Sequence, residues 1–183
     1  MRLKIDSKTD VLKTNPFTVE ELRVTGEKGP VAHPWHRLVC RDWVNILPVT
    51  LDNRAVLIRQ PRIGSATEVL EVPGGVMDPN ERDPTLAAMR ELEEETGFTS
   101  QRVLSLGQIN PNPAIMSNRC HFFVALGCHL NPQRKHFPDA EEVIDVEFVP
   151  VNELEALVRF GRIDHALAAL CIMLAAKYVK ISP

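Results

Sequence analysis

The chain has 183 residues, 44% of them hydrophobic and 25% charged, with a formal net charge of -3. That length suits one compact domain with a short extra segment, and the composition is that of a folded chain. The charge argues against the basic surface that holds nucleic acid.

The N-terminal stretch MRLKIDSKTD lacks the apolar core of a signal peptide, so a cytoplasmic location is expected. The longest apolar run, Ala166 to Ala176, falls short of the roughly 20 residues that cross a bilayer, and it reads as a buried helix. Four cysteines, Cys40, Cys120, Cys128 and Cys171, stand in apolar surroundings without C-x-x-C spacing, which predicts free core thiols and no zinc site.

Residues 1–43 mix short apolar pieces with polar turns and read as an N-terminal arm or small subdomain, with residues 44–183 as the main domain. VNILPVTLDNRAVLIRQPR then reads as two strands about a turn at Asp52-Asn53, and TEVLEVP as a further strand running into Gly74-Gly75. Asp83 followed by Pro84 is a helix start, and Gly97 a helix stop, which predicts a helix over Pro84 to Thr96. RVLSLGQI, CHFFVALGCHL and IDVEFVP read as strands, and VNELEALVRF and HALAALCIMLAAKYV as closing helices. The sum is an α/β (α+β) chain, a mixed sheet between helical layers.

On the central helix, at about 100° per residue, Glu91, Glu94 and Glu95 share one face, with Ala87 and Ala88 on the same side. Leu86, Met89 and Leu92 fall on the opposite side, and Glu93 projects away as a surface acid. Like charges on one helix face repel, so a cation is expected among them, and hard carboxylate oxygens suit Mg²⁺ or Mn²⁺. Gly74-Gly75 adds a strand end without bulk, where a carbonyl can join the ligands and a phosphate can approach closely.

This stretch resembles the Nudix box: Gly, five residues, Glu, seven residues, then Arg-Glu-U-x-Glu-Glu-x-Gly-U, with U bulky and apolar. Gly75 is followed after five residues by Glu81, and RELEEETGF, Arg90 to Phe98, matches every fixed position. Eight residues, Arg82 to Met89, replace the family's seven. The insertion precedes the helix cap, so it bears on the contact by which Glu81 and Arg90 brace the loop.

The resemblance implies a Nudix-type α/β/α sandwich. The flanking LIRQPR, EVPGG and DAEEVIDVEFVPVNEL are similar to the branch that hydrolyses ADP-ribose and other nucleoside diphosphate sugars. It further implies metal ligation by the Gly74 carbonyl, Glu91 and Glu95, with Glu94 assisting. A late glutamate, Glu142 or else Glu141, would serve as ligand or base. Arg62, with the loop at Gly75, would hold a substrate phosphate. Trp35, or else Trp43, would stack on the nucleobase, in a homodimer formed through the N-terminal arm. The implied reaction is Mg²⁺-dependent cleavage of the diphosphate to a nucleoside monophosphate and a sugar phosphate. The alternatives are a Nudix hydrolase of another diphosphate (a dinucleotide, a nucleoside triphosphate or a coenzyme) and a non-catalytic nucleotide-sugar-binding module. Loss of box carboxylates would mark the latter, and none is lost.

Overall fold

The computed structural model describes residues 2–179. Contacts divide the chain into two compact units: the chain up to Asp42 with Ile109–Cys120, and Trp43–Gln108 with the chain from His121 on.

In the smaller unit, β1 (Leu3–Lys13) and β2 (Phe17–Gly26) form a long antiparallel hairpin, and β2 also pairs with β3 (Gly29–Pro30) and β4 (Trp35–Cys40). Residues 109–120 return to β4, where the Leu38 N–H donates to the Ile115 carbonyl at 2.7 Å. Glu20, nearly buried on β2, takes Arg37 at 2.7 Å and Lys8 at 3.3 Å, so its charge is compensated where it is desolvated. Every residue of β1 is exposed, which is why its sequence shows no buried alternation.

The larger unit is built on β5 (Trp43–Thr50), β6 (Arg54–Arg62), β7 (Thr67–Glu71), β8 (Gly74–Val76), α1 (Pro84–Thr96), β9 (Phe98–Thr99), β10 (Arg102–Ile109), β11 (Cys120–Leu130), β12 (Asp145–Pro150), α2 (Leu154–Arg159) and α3 (Ala166–Ala175). Its mixed sheet runs β10-β11-β5-β6-β12, with β7 on β6, β8 on β5 and β9 on β11. β5 is buried from Val44 to Val49, as a strand covered on both faces must be. Val44 and Ile46 pack with Ala88 and Leu92 of α1, while α3 also packs on β5. The α+β expectation is met, and the strands from Trp43 onward fall close to where the sequence placed them, TEVLEVP excepted. The closing helices are shorter than expected: VNELEALVRF opens as a 3-10 turn over Val151–Glu153 before α2, and α3 stops at Ala175 and does not run on through Val179.

TEVLEVP is not one strand into the glycines. β7 pairs with β6 and stops at Glu71, whereas β8 starts at Gly74 and pairs with β5. Pro73 lies between them, and lacking an N–H it cannot continue a ladder as a donor.

α1 has the predicted bounds. Asp83 accepts from the Thr85 N–H at 2.8 Å, Pro84 opens the helix, and Gly97 closes it at φ 75° with its N–H on the Glu93 carbonyl at 2.8 Å. Its orientation was not evident from the sequence: Ala87 and Ala88, beside the carboxylates, are buried in the core, as is Leu92 from the opposite side, while Leu86 is 62% exposed. The buried side of the helix is centred on Ala87, Ala88, Glu91, Leu92 and Glu95, so the carboxylate face itself turns toward the sheet. Cys120, Cys128 and Cys171 are buried, and Cys40 is partly exposed. Among the described residues no helix is long and apolar enough to cross a membrane.

Candidate active site at the β8 strand end

The Asn45↔Gly74 and Val44↔Gly75 pairings bring the glycine pair against β5, and the Ile46 N–H donates to the Pro73 carbonyl at 2.9 Å. That bond makes Asn45↔Gly74 a non-hydrogen-bonded position of the ladder, so both backbone groups of Gly74 turn away from β5. Its N–H donates to Glu95 Oε2 at 2.8 Å. A Cβ on Gly74 would lie 2.2 Å from the Val44 carbonyl oxygen, and one on Gly75 would lie 2.5 Å from Glu91 Oε1. The two glycines thus serve different ends: one lets strands meet, the other admits a carboxylate.

Arg90 organises the carboxylates around it. Nε and one terminal nitrogen grip Glu81 at 2.9 and 3.1 Å, and the other terminal nitrogen reaches Glu94 at 2.9 Å and Glu91 at 3.0 Å. Glu81 also accepts the Asp78 N–H at 2.8 Å, closing the loop before the helix. The extra loop residue therefore leaves Glu81 and Arg90 in a two-pronged contact.

Glu95 has no such cation: among the described residues its recorded hydrogen bond is the Gly74 N–H alone. Burial, and then the charge of Glu91, push its carboxyl well above the usual range. Glu91 is pushed up to about 7, first by burial, with Arg90 opposing and Glu94 and Glu142 adding repulsion. Two buried carboxylates short of positive charge are costly unless a cation joins them.

The donor set fits a divalent metal. Among the described residues no group of three or more His, Cys, Asp or Glu side chains stands close enough together to hold a metal ion by itself. Mg²⁺ does not need such a group, because it typically takes one or two carboxylates and completes its shell with water and substrate phosphate. Glu91, Glu95 and the Gly74 carbonyl are the groups available.

Of the remaining candidates, Glu142 is exposed in a turn where its carboxylate accepts the Asp139 N–H at 3.0 Å, and its charge reaches both Glu91 and Glu95. Glu141 beside it is also exposed. Arg62 ends β6, and its positive charge opposes the upward push on Glu95. Trp43 pairs with Val76 in the β5-β8 ladder, in the same unit as the carboxylates. Trp35, half exposed on β4, belongs to the smaller unit.

Glu93 is not a free surface acid. It is 9% exposed and accepts from the Asn131 side chain at 2.6 Å and the Lys135 N–H at 3.0 Å, while Arg134 caps the helix end at the Glu94 carbonyl. The loop after β11 folds over this side of α1, which no periodicity within the helix reveals. Sequence reasoning also missed Glu71 and His165. Glu71, 1% exposed, accepts the Arg62 Nε–H at 2.5 Å and bonds His165 Nδ1 through its other oxygen. The available signal was a glutamate inside the apolar run of TEVLEVP.

A solved structure titled as that of an ADP compounds hydrolase shares this fold: TM-score 0.84, 24% identity, covering 98% of this chain and 95% of that one. Residues 41–169 match the NUDIX domain, and the chain belongs to that family. Among relatives, the ADP-ribose pyrophosphatase of Bacillus subtilis is 26% identical over 70% of this chain and 69% of its own length. The GDP-mannose pyrophosphatase of Citrobacter koseri is 27% identical over 90% and 91%.

Proposed function

We propose that the chain is a Mg²⁺-dependent hydrolase of nucleoside diphosphate sugars of the ADP-ribose kind, releasing a nucleoside monophosphate and a sugar phosphate. The observation that carries this reading is the buried Glu91-Glu95 pair beneath the Gly74-Gly75 strand end. The relatives named for ADP-ribose and GDP-mannose support the substrate class.

In this reading Gly74, through its carbonyl, Glu91 and Glu95 hold the metal, and Glu94 assists. When bound, the cation neutralises diphosphate oxygens and eases proton loss from water. Arg90 fixes the helix against the loop through Glu81. The backbone of the loop at Gly75 approaches a phosphate, and Arg62 grips one through its planar guanidinium. Glu142, or else Glu141, accepts a proton from the attacking water as its oxygen bonds to phosphorus and the bridging P–O bond breaks. Trp35 or Trp43 stacks on the base. The exposed apolar residues of β1, Leu3, Ile5, Val11 and Leu12, support pairing of two copies through residues 1–43. The reading keeps a cytoplasmic location.

The test is a panel of ADP-ribose, GDP-mannose, dinucleotides and triphosphates with Mg²⁺, products being identified by mass. Preferential release of a nucleoside monophosphate and a sugar phosphate is expected. Preference for a triphosphate or dinucleotide would replace the substrate assignment, and binding without turnover would replace hydrolysis.

A further inference from the structure

Outside the metal-facing carboxylates, one buried acid is tied to two basic side chains from distant parts of the larger unit. Glu71 closes β7 at 1% exposure, Arg62 closes β6, and His165 stands at the N-cap of α3 without capping it. Glu71 spends one oxygen on the Arg62 Nε–H at 2.5 Å and the other on His165 Nδ1. Burial raises the Glu71 carboxyl, and the hydrogen bonds from His165 and Arg62 outweigh it, holding it below its usual range. An ionised Glu71 takes Nδ1 as a donor, so His165 points its N–H at the acid.

What this leaves free is informative. Arg62 bonds Glu71 only through Nε, no protein partner is recorded for its two terminal nitrogens among the described residues, and its side chain is 44% exposed. A long flexible cation would lose conformational freedom on gripping an anion. Here the bond at Nε already restricts that freedom, while the side chain stays partly exposed.

We infer that Glu71 and His165 are positioning residues: Glu71 holds Arg62 by Nε, His165 holds Glu71, and the pair presets the terminal nitrogens of Arg62 as a clamp for a substrate phosphate. The inference rests on the reading of Arg62 as a phosphate-binding residue. It links the start of α3 to substrate binding, and it assigns the buried glutamate of EVPGG a role separate from metal ligation.

The experiment measures KM and kcat with Mg²⁺ on whichever diphosphate the panel selects, so substrate class and clamp fail separately. Glu71→Gln keeps the shape and removes the charge. It is expected to raise KM about tenfold with kcat changed much less, the scale of one charge-assisted hydrogen bond. On an Arg62→Ala background it should add nothing, because its effect runs through Arg62. His165→Ala should raise KM about threefold, and His165→Asn, which can offer an N–H near the Nδ1 position, should restore it. If Arg62→Ala leaves kcat/KM unchanged, the phosphate role of Arg62 falls and the inference with it. If Arg62→Ala is costly but Glu71→Gln multiplies its loss in full, the clamp is refuted while Arg62 stands. Should Glu71→Gln fail to fold, the histidine pair decides: equal KM values for His165→Ala, His165→Asn and the unaltered protein overturn the inference.

Discussion

Replacing Gly75 by alanine separates the chemistry of the site from its stability. The new Cβ would lie 2.5 Å from Glu91 Oε1, 2.7 Å from Cδ and 2.9 Å from Oε2. Ordinary contact needs about 3.5 Å, so the carboxylate must withdraw by about 1 Å. Glu91 is buried and bound to Arg90 at 3.0 Å, which restricts where it can go. A displacement of that size costs roughly 100-fold in rate, or about 2.7 kcal/mol of transition-state stabilisation. Gly74→Ala is the control: its Cβ would meet the Val44 carbonyl oxygen at 2.2 Å, a backbone atom that cannot swing aside. That variant should lose about 1–3 kcal/mol of stability. The assay is kcat on the preferred diphosphate at saturating Mg²⁺, alongside Tm for both variants. Gly75→Ala should stay within a few degrees of the unaltered Tm while losing activity. Wild-type kcat in a folded Gly75→Ala protein would refute the claim that this glycine exists to seat Glu91.

Three further outcomes follow from the same geometry. Glu91, at about 7 when folded against 4.5 as the ordinary value, binds more protons folded than unfolded between those pH values. Its contribution to stability therefore falls as pH rises from 4.5 to 7 and stays reduced above, by on the order of 3 kcal/mol without metal. Glu91→Gln should raise the metal-free Tm at pH 8 more than at pH 5, and should abolish the Tm increase that Mn²⁺ or Mg²⁺ gives the unaltered protein; a pH-independent difference between the two proteins would reject this. Glu93→Ala strips acceptors from Asn131 and the Lys135 N–H and should cost about 1–3 kcal/mol, read as faster hydrogen exchange over residues 131–136 with kcat nearly unchanged. Finally, the tryptophan that stacks on the base should, on replacement by leucine, raise KM about fivefold for an adenine-containing substrate, an effect of about 1 kcal/mol. Trp35→Leu and Trp43→Leu assign the role, and no change in either removes stacking from the reading.

Much of this site lay in short-range chemistry that a sequence displays directly. Asp83-Pro84 and Gly97 set the ends of α1 because caps act within a turn, and the spacing of Glu91 and Glu95 put them on one face because helix geometry is fixed. β5, β6 and β11 were legible from their apolar runs. The breaks and bonds that depend on distant residues were not. TEVLEVP reads as one strand, yet Glu71 and Gly74 lie on different neighbours, since strand pairing is decided by what stands alongside. Glu93 reads as a surface acid until the loop at 131–136 covers it.

The sequence by itself determined that α1 exists, where it ends, and that three carboxylates share its face, all consequences of local backbone geometry. Only the tertiary structure decided that this face turns inward toward the sheet, which leaves Glu95 short of positive charge. It also decided that Arg62, Glu71 and His165 meet, although Glu71 and His165 stand 94 residues apart. The physical reason is the same for both: burial and pairing arise from packing between elements, and no period within one element encodes which surface will cover it.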